Sequence, residues 1–124
     1  MDRPKTLPPS MRPKKRYIVF EVISEHPVEY GDLSNSVWSS LMDLTGEAGA
    51  SDARIWFISN LYDDKRQVGI IKCGNGAVES VRASLSLVQI VSESKCIVKV
   101  LGVTGTLKSA GEKYLEGHDK NGIS

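Results

Sequence analysis

Near its end the chain carries a glycine, a lysine and a serine at almost the spacing of a phosphate-cradling loop, in the segment VLGVTGTLKSAG from Val100 to Gly111. From Gly102 to Ser109 it reads G-x-x-x-x-L-K-S, against the G-x-x-x-x-G-K-[ST] whose backbone N–H groups wrap a nucleotide's phosphates. Leu107 stands where the second glycine belongs, and such a loop sits within a parallel α/β sheet that continues after it. Only fifteen residues follow Ser109, so no such continuation is expected. Lys108 and Ser109 read as solvent-facing tail residues. Gly102 and Gly105 let the backbone leave a strand sharply or approach a partner closely.

The other groups capable of chemistry are sparse. His26 lies beside Pro27 and His118 lies in a polar tail, too far apart in sequence to suggest a site, and both read as solvated. Asp63 and Asp64, between Tyr62 and Lys65, read as turn residues. A metal there would need further oxygen ligands from elsewhere, and none is indicated. No nucleophile has a neighbouring base. Cys73 and Cys96 sit in apolar alternating runs without ligand spacing, which favours buried reduced thiols over a disulfide or metal site, and an intracellular, cytoplasmic setting.

The 124 residues, 40% of them hydrophobic, suit one domain with one core. Sixteen Lys+Arg against fifteen Asp+Glu give a net charge of +1, so only local clustering can speak for a nucleic-acid partner. No apolar run approaches a membrane span, and the basic N-terminus lacks the apolar stretch of an export signal. Met1 to Lys15 carries Arg3, Lys5, Arg12, Lys14 and Lys15 against Asp2, together with Pro4, Pro8, Pro9 and Pro13. This reads as a flexible basic arm, either a solvated leader (an upstream extension if Met11 is the start) or an arm that settles on phosphates. The folded domain is expected over 16–108 and a polar tail over 109–124.

Six periodic segments have to position these residues. RYIVFEVIS (Arg16 to Ser24) alternates as a strand, with Ile18, Phe20 and Val22 on one side. Leu33, Val37, Trp38, Leu41 and Leu44 fall at helical spacing, with Trp38 in the core stripe, and Gly46 and Gly49 follow as the exit. DARIWFISNL (Asp52 to Leu61) and QVGIIKC (Gln67 to Cys73) flank the turn YDDKR as an antiparallel hairpin. Asn75 is a plausible cap for a second helix through Ala77, Val78, Val81, Leu85 and Val88. KCIVKVLG (Lys95 to Gly102) is the last strand. The order β-α-β-β-α-β predicts an α+β, ferredoxin-like or RNA-recognition-like two-layer sandwich: a four-stranded antiparallel sheet with both helices on one face.

Taken together, RYIVFEVIS, GEAGASDARIWFI, GIIKC followed by VRASLSLV, and above all the exit VKVLGVTGTLK resemble the archaeal ribonuclease P protein component 2 family, over about Arg16 to Lys108. The resemblance implies a subunit of the ribonucleoprotein endonuclease that removes the 5′ leader of precursor tRNA. It further implies that the RNA and its bound Mg²⁺ carry the catalytic centre, that the chain itself has no catalytic residue and binds no cofactor, and that its partners are the ribonuclease P RNA, ribonuclease P protein component 3, other protein subunits and a second copy of itself, possible within a heterotetramer.

The strand QVGIIKC lacks the aromatic pair on which RNA-recognition domains stack bases. With Ile18, Phe20 and Val22 facing the helices, the free face would offer Tyr17, Val19, Glu21 and Ile23. The second strand would add either Arg54, Trp56 and Ile58 or Ala53, Ile55 and Phe57. Such an apolar face fits a protein partner at least as well as RNA, with Tyr17, Trp56 and Ile58 as interface candidates, although an indole in a strand is more commonly core. Lys14, Lys15, Arg16, Lys72, Arg82, Lys95, Lys99 and Lys108 are the candidates for phosphate contact, each also readable as solvated charge. Two other classes compete: a ligand-sensing or protein-interaction module of the same fold, and an acylphosphatase-like hydrolase. The loop Ser24-Glu25-His26-Pro27 lacks the anion-gripping arginine that the hydrolase requires.

Overall fold

The computed structural model describes residues 14–112. Within them run β1 (Lys15–Ser24), α1 (Tyr30–Asp52), β2 (Trp56–Phe57), β3 (Val68–Gly74), α2 (Val78–Leu87), β4 (Ile90–Val91), β5 (Ser94–Thr104) and α3 (Leu107–Ala110). The strands form one sheet in the order β2-β3-β1-β5-β4, and each neighbouring pair is antiparallel. The expected βαββαβ frame is present, but the sheet has five strands rather than four, and a third helix follows it.

Period-two alternation decides the core. Ile18, Phe20 and Val22 of β1 join Ile71, Cys73, Cys96 and Val98 on the face that α1 and α2 cover with Leu33, Val37, Val81 and Leu85. Each fully buried aliphatic or aromatic side chain there contributes about 1.5–3 kcal/mol by leaving water. Phe20 faces Gly69 across β1 and β3, and a Cβ at that glycine would come 2.8 Å from Phe20 Cζ and 2.9 Å from Tyr62 Cδ1. The missing side chain is what gives the phenyl ring its room.

A second, smaller core lies on the opposite face, where Val19, Val68 and Ile70 bury Ala110 of α3. That face is therefore partly closed, contrary to the expectation of a free one. Thr106 starts α3 by accepting the Ser109 N–H on its hydroxyl, 3.1 Å away. The apparent phosphate loop is thus the end of a strand and a capped turn of helix. The strand also runs past Gly102 to Thr104, and neither Gly102 nor Gly105 adopts a positive φ.

Several boundaries differ from expectation for local reasons. Gly46, at φ 79° and ψ 172°, breaks α1, but the helix resumes and runs on to Asp52. Arg54 then turns at φ 53° and Ser59–Leu61 forms a 3₁₀ turn, so the second strand shrinks from ten residues to Trp56–Phe57. Trp38 and Leu44 are 37% and 45% exposed and lie outside the core, which takes only Leu33, Val37 and Leu41 from that stripe. Asn75 does not cap α2: a 3₁₀ turn, Asn75–Ala77, comes first, and Ala77 offers no side-chain bond. The β4–β5 turn is the two residues Ser92 and Glu93, at φ 52° and 68°, a left-handed pair usually built with Asn or Gly. Within β5, Leu101 is a bulge: Val19 pairs with Gly102 but Phe20 pairs with Val100.

Candidate nucleic-acid interface

Antiparallel register places directly paired residues on the same side of the sheet, so the strand pairing fixes what shares the face opposite α1 and α2. Its first row is Trp56, Lys72, Tyr17 and Thr104. The second strand therefore takes the register that turns Trp56 outward, 63% exposed, and Phe57 inward. Tyr17 and Ile58 are half-buried against the Val19 core, which leaves Trp56 alone of the three interface candidates fully presented.

This row lies at the pole where β1 starts and β3 ends. Two backbone bonds tie the neighbouring loops to it: Asn75 N–H to the Lys14 carbonyl, 2.9 Å, and Gly74 N–H to the Ala53 carbonyl, 3.0 Å. Lys14 and Arg54 are brought together here, lining a shallow depression of about 350 Å³ with Asp52, Gly74, Asn75 and Gly76. Lys15 is exposed beside them, and Arg16 donates to the Lys15 carbonyl at 3.0 Å. Because Thr104 pairs with Tyr17, exposed Lys108 in α3 starts from the same pole. Arg54 is the residue that sequence reasoning missed as a phosphate candidate. Read as part of a long strand, it carried no signal that a left-handed turn would swing it toward Lys14.

The other basic candidates lie elsewhere. Lys95 is opposite Ile90 at the far end of β5, and Lys99 is opposite Glu21 in the middle of the sheet. Arg82 is exposed on α2, on the other layer. Ile23, Ile90 and Ile97, more than half exposed, make the end near Lys95 apolar.

The groups that could have carried catalysis have other uses. Asp63 accepts the Lys65 and Arg66 N–H groups at 3.0 and 3.1 Å and pairs with the Arg66 guanidinium at 3.7 Å, which is turn architecture. His26 is exposed, its backbone N–H donating to Ser94 Oγ at 3.1 Å, while His118 lies outside the described residues, as does most of the basic arm. Cys73 and Cys96 are free and buried, and burial pushes the Cys73 thiol up to about 11, so neither thiolate is available near neutral pH. Among the described residues no three His, Cys, Asp or Glu side chains gather as a metal site, and no helix is long and apolar enough to cross a membrane.

The sequence pattern of the Rpp14/Pop5 family matches residues 16–115. Similar proteins include ribonuclease P protein component 2 of Pyrococcus furiosus, 43% identical over 92% of this chain and 93% of that one. The protein of the same name from Methanosarcina mazei is 39% identical over 90% and 93% respectively. Among solved structures, a chain of yeast ribonuclease MRP shares the fold, with a TM-score of 0.61 and 13% identity over 90% of this chain and 95% of that one.

Proposed function

This chain belongs to the Rpp14/Pop5 family, and from that premise we propose that it acts as a protein subunit of ribonuclease P, the tRNA-processing endoribonuclease, supporting an RNA that cuts the 5′ leader from precursor tRNA. Near-complete coverage of archaeal proteins named ribonuclease P protein component 2, at 36–43% identity, is the observation that carries this reading. The chain's task is then to bind and shape, with the reacting groups and Mg²⁺ held by the RNA.

The basic pole is our choice for the RNA contact. Lys14 and Arg54 line a depression with Asp52, Gly74, Asn75 and Gly76, and Lys15 and Lys72 lie at the same pole of the sheet, a cluster of cations that suits sugar–phosphate recognition by shape. Trp56, one strand from Lys72, offers an open indole face for a base that the RNA leaves unpaired. Component 3 and a second copy of this chain remain the proposed protein partners.

The test is cleavage of precursor tRNA by the cognate RNA at limiting Mg²⁺, with component 3 present and this chain added or withheld. Faster cleavage at the correct 5′ site only when the chain is present supports the reading. An unchanged rate with folded proteins and competent RNA refutes it. A His26→Ala variant should leave single-turnover cleavage at saturating protein unaltered.

A further inference from the structure

The outer edge of β5 is the longest unpaired edge among the described strands. On its inner side β5 pairs with β1 from Cys96 to Thr104, but on the outer side β4 covers only Ser94 and Lys95, extended by the Cys96 N–H to the Gln89 carbonyl at 2.9 Å. Backbone groups alternate in direction along a strand. Val98 and Val100 therefore point their N–H and C=O groups the way Cys96 does, off the sheet, where no further strand among the described residues meets them. Beside this edge runs a groove of about 420 Å³ lined by Glu79, Arg82, Ala83 and Ser86 of α2 together with Val98 and Val100.

Sheet edges are commonly blunted by proline, by a bulge or by brevity. The stretch from Ile97 to Val100 contains no proline, and the Leu101 bulge is read from the pairing with β1; its one guard of the usual kind is the charge of Lys99. Unpaired strand groups specify an extended polypeptide as their occupant, since only another strand satisfies them in series.

Charge then selects among extended polypeptides. A second copy of this chain, paired about a two-fold axis so that each Val98 meets the other copy's Val100, would set Lys99 directly opposite Lys99 of the second copy. Like charges in that position are destabilising. A carboxylate there would instead pair with Lys99 on one face, while neighbouring side chains enter the groove beside Arg82 and Ala83.

We propose that the outer edge of β5 accepts an extended segment of another protein subunit of the ribonucleoprotein as a sixth strand, with an acidic residue opposite Lys99 and small or apolar side chains in the α2 groove. This rests on the ribonuclease P reading. It predicts which backbone amides become protected on assembly. Amide exchange of the full-length chain is followed by NMR alone, with each cognate ribonuclease P protein subunit in turn, and with the ribonuclease P RNA alone. One protein subunit should slow Val98 and Val100 by at least about tenfold, with little change at Ile97 and Lys99, whose N–H groups already face β1; Lys99→Glu should weaken that subunit's binding about tenfold. Assembly with subunits that leaves Val98 and Val100 exchanging as before overturns the proposal. So does protection by RNA alone, or protection that grows with the chain's own concentration. If neither subunits nor RNA bind the folded chain, the ribonuclease P reading itself fails and the proposal falls with it.

Discussion

Replacing Lys15 and Lys72 together by glutamine should weaken RNA binding in a way that salt reveals. The two lysines lie at the same pole of the sheet, Lys15 paired with Gly74 and Lys72 with Tyr17, close enough to follow one backbone path. If each neutralises one phosphate, their removal lowers the slope of log K against log salt by about 1.8, at about 0.9 per duplex phosphate. Between 50 and 200 mM salt the parent should then lose about tenfold more affinity than the variant, and at 150 mM the variant should bind about 30-fold more weakly. The assay is filter binding to the ribonuclease P RNA across a potassium chloride series. Lys65→Gln is the control: it removes a lysine from the hairpin turn at the opposite end of β3, so it tests charge without place. Parallel salt plots for the parent and the double variant would refute the basic-pole contact, and an equal effect from Lys65→Gln would reduce it to bulk charge.

Trp56→Ala should leave thermal stability within about 0.5 kcal/mol, because the indole is 63% exposed, yet cost about 1–3 kcal/mol of RNA affinity in the same binding assay. Gly69→Ala should destabilise by about 1–3 kcal/mol in urea unfolding, because the new methyl must displace Phe20 and Tyr62 in a packed core. Alkaline titration should find stability falling above about pH 9. There the unfolded Cys73 thiol ionises while the native one stays protonated until about 11, so the folded state holds the extra proton and its advantage is lost as pH rises through that window. Tyr62, pushed up to about 12 by burial and then by Asp64 and Asp63, extends the loss to higher pH. Urea midpoints of a Cys73→Ala variant between pH 8 and 11 should show a shallower decline.

What sequence could foresee here was what repeats. Ile18, Phe20 and Val22, Ile71 and Cys73, and Val81 with Leu85 each recur at the period of their element, and their elements stand where expected. Features confined to two or three residues left no period to read. β4 is two residues long and joined to β5 by a left-handed Ser92-Glu93 turn, and the helical turn after Thr106 is capped by a single hydroxyl. The candidate site suffered in the same way. Lys15 and Lys72 were recognisable as cations, but their shared pole is set by strand order, and Arg54 joins them through one residue's positive φ. Trp38 shows the reverse error: a large apolar side chain beside a true stripe is not in the core unless its angular position agrees.

Strand order also bears on how the molecule is made. β1, the first of the described strands to leave a ribosome, takes a place between β3 and β5, the last. Until β5 emerges, one whole edge of β1 has no mate and Ile18, Phe20 and Val22 lack the cover of Cys96 and Val98. Closure must therefore wait for nearly the full length of the described chain, across the long sequence separations that slow folding. A nascent chain arrested at Gln89 would hold its helices and hairpin but expose an apolar, ladder-ready strand, the kind of species a chaperone has to shield.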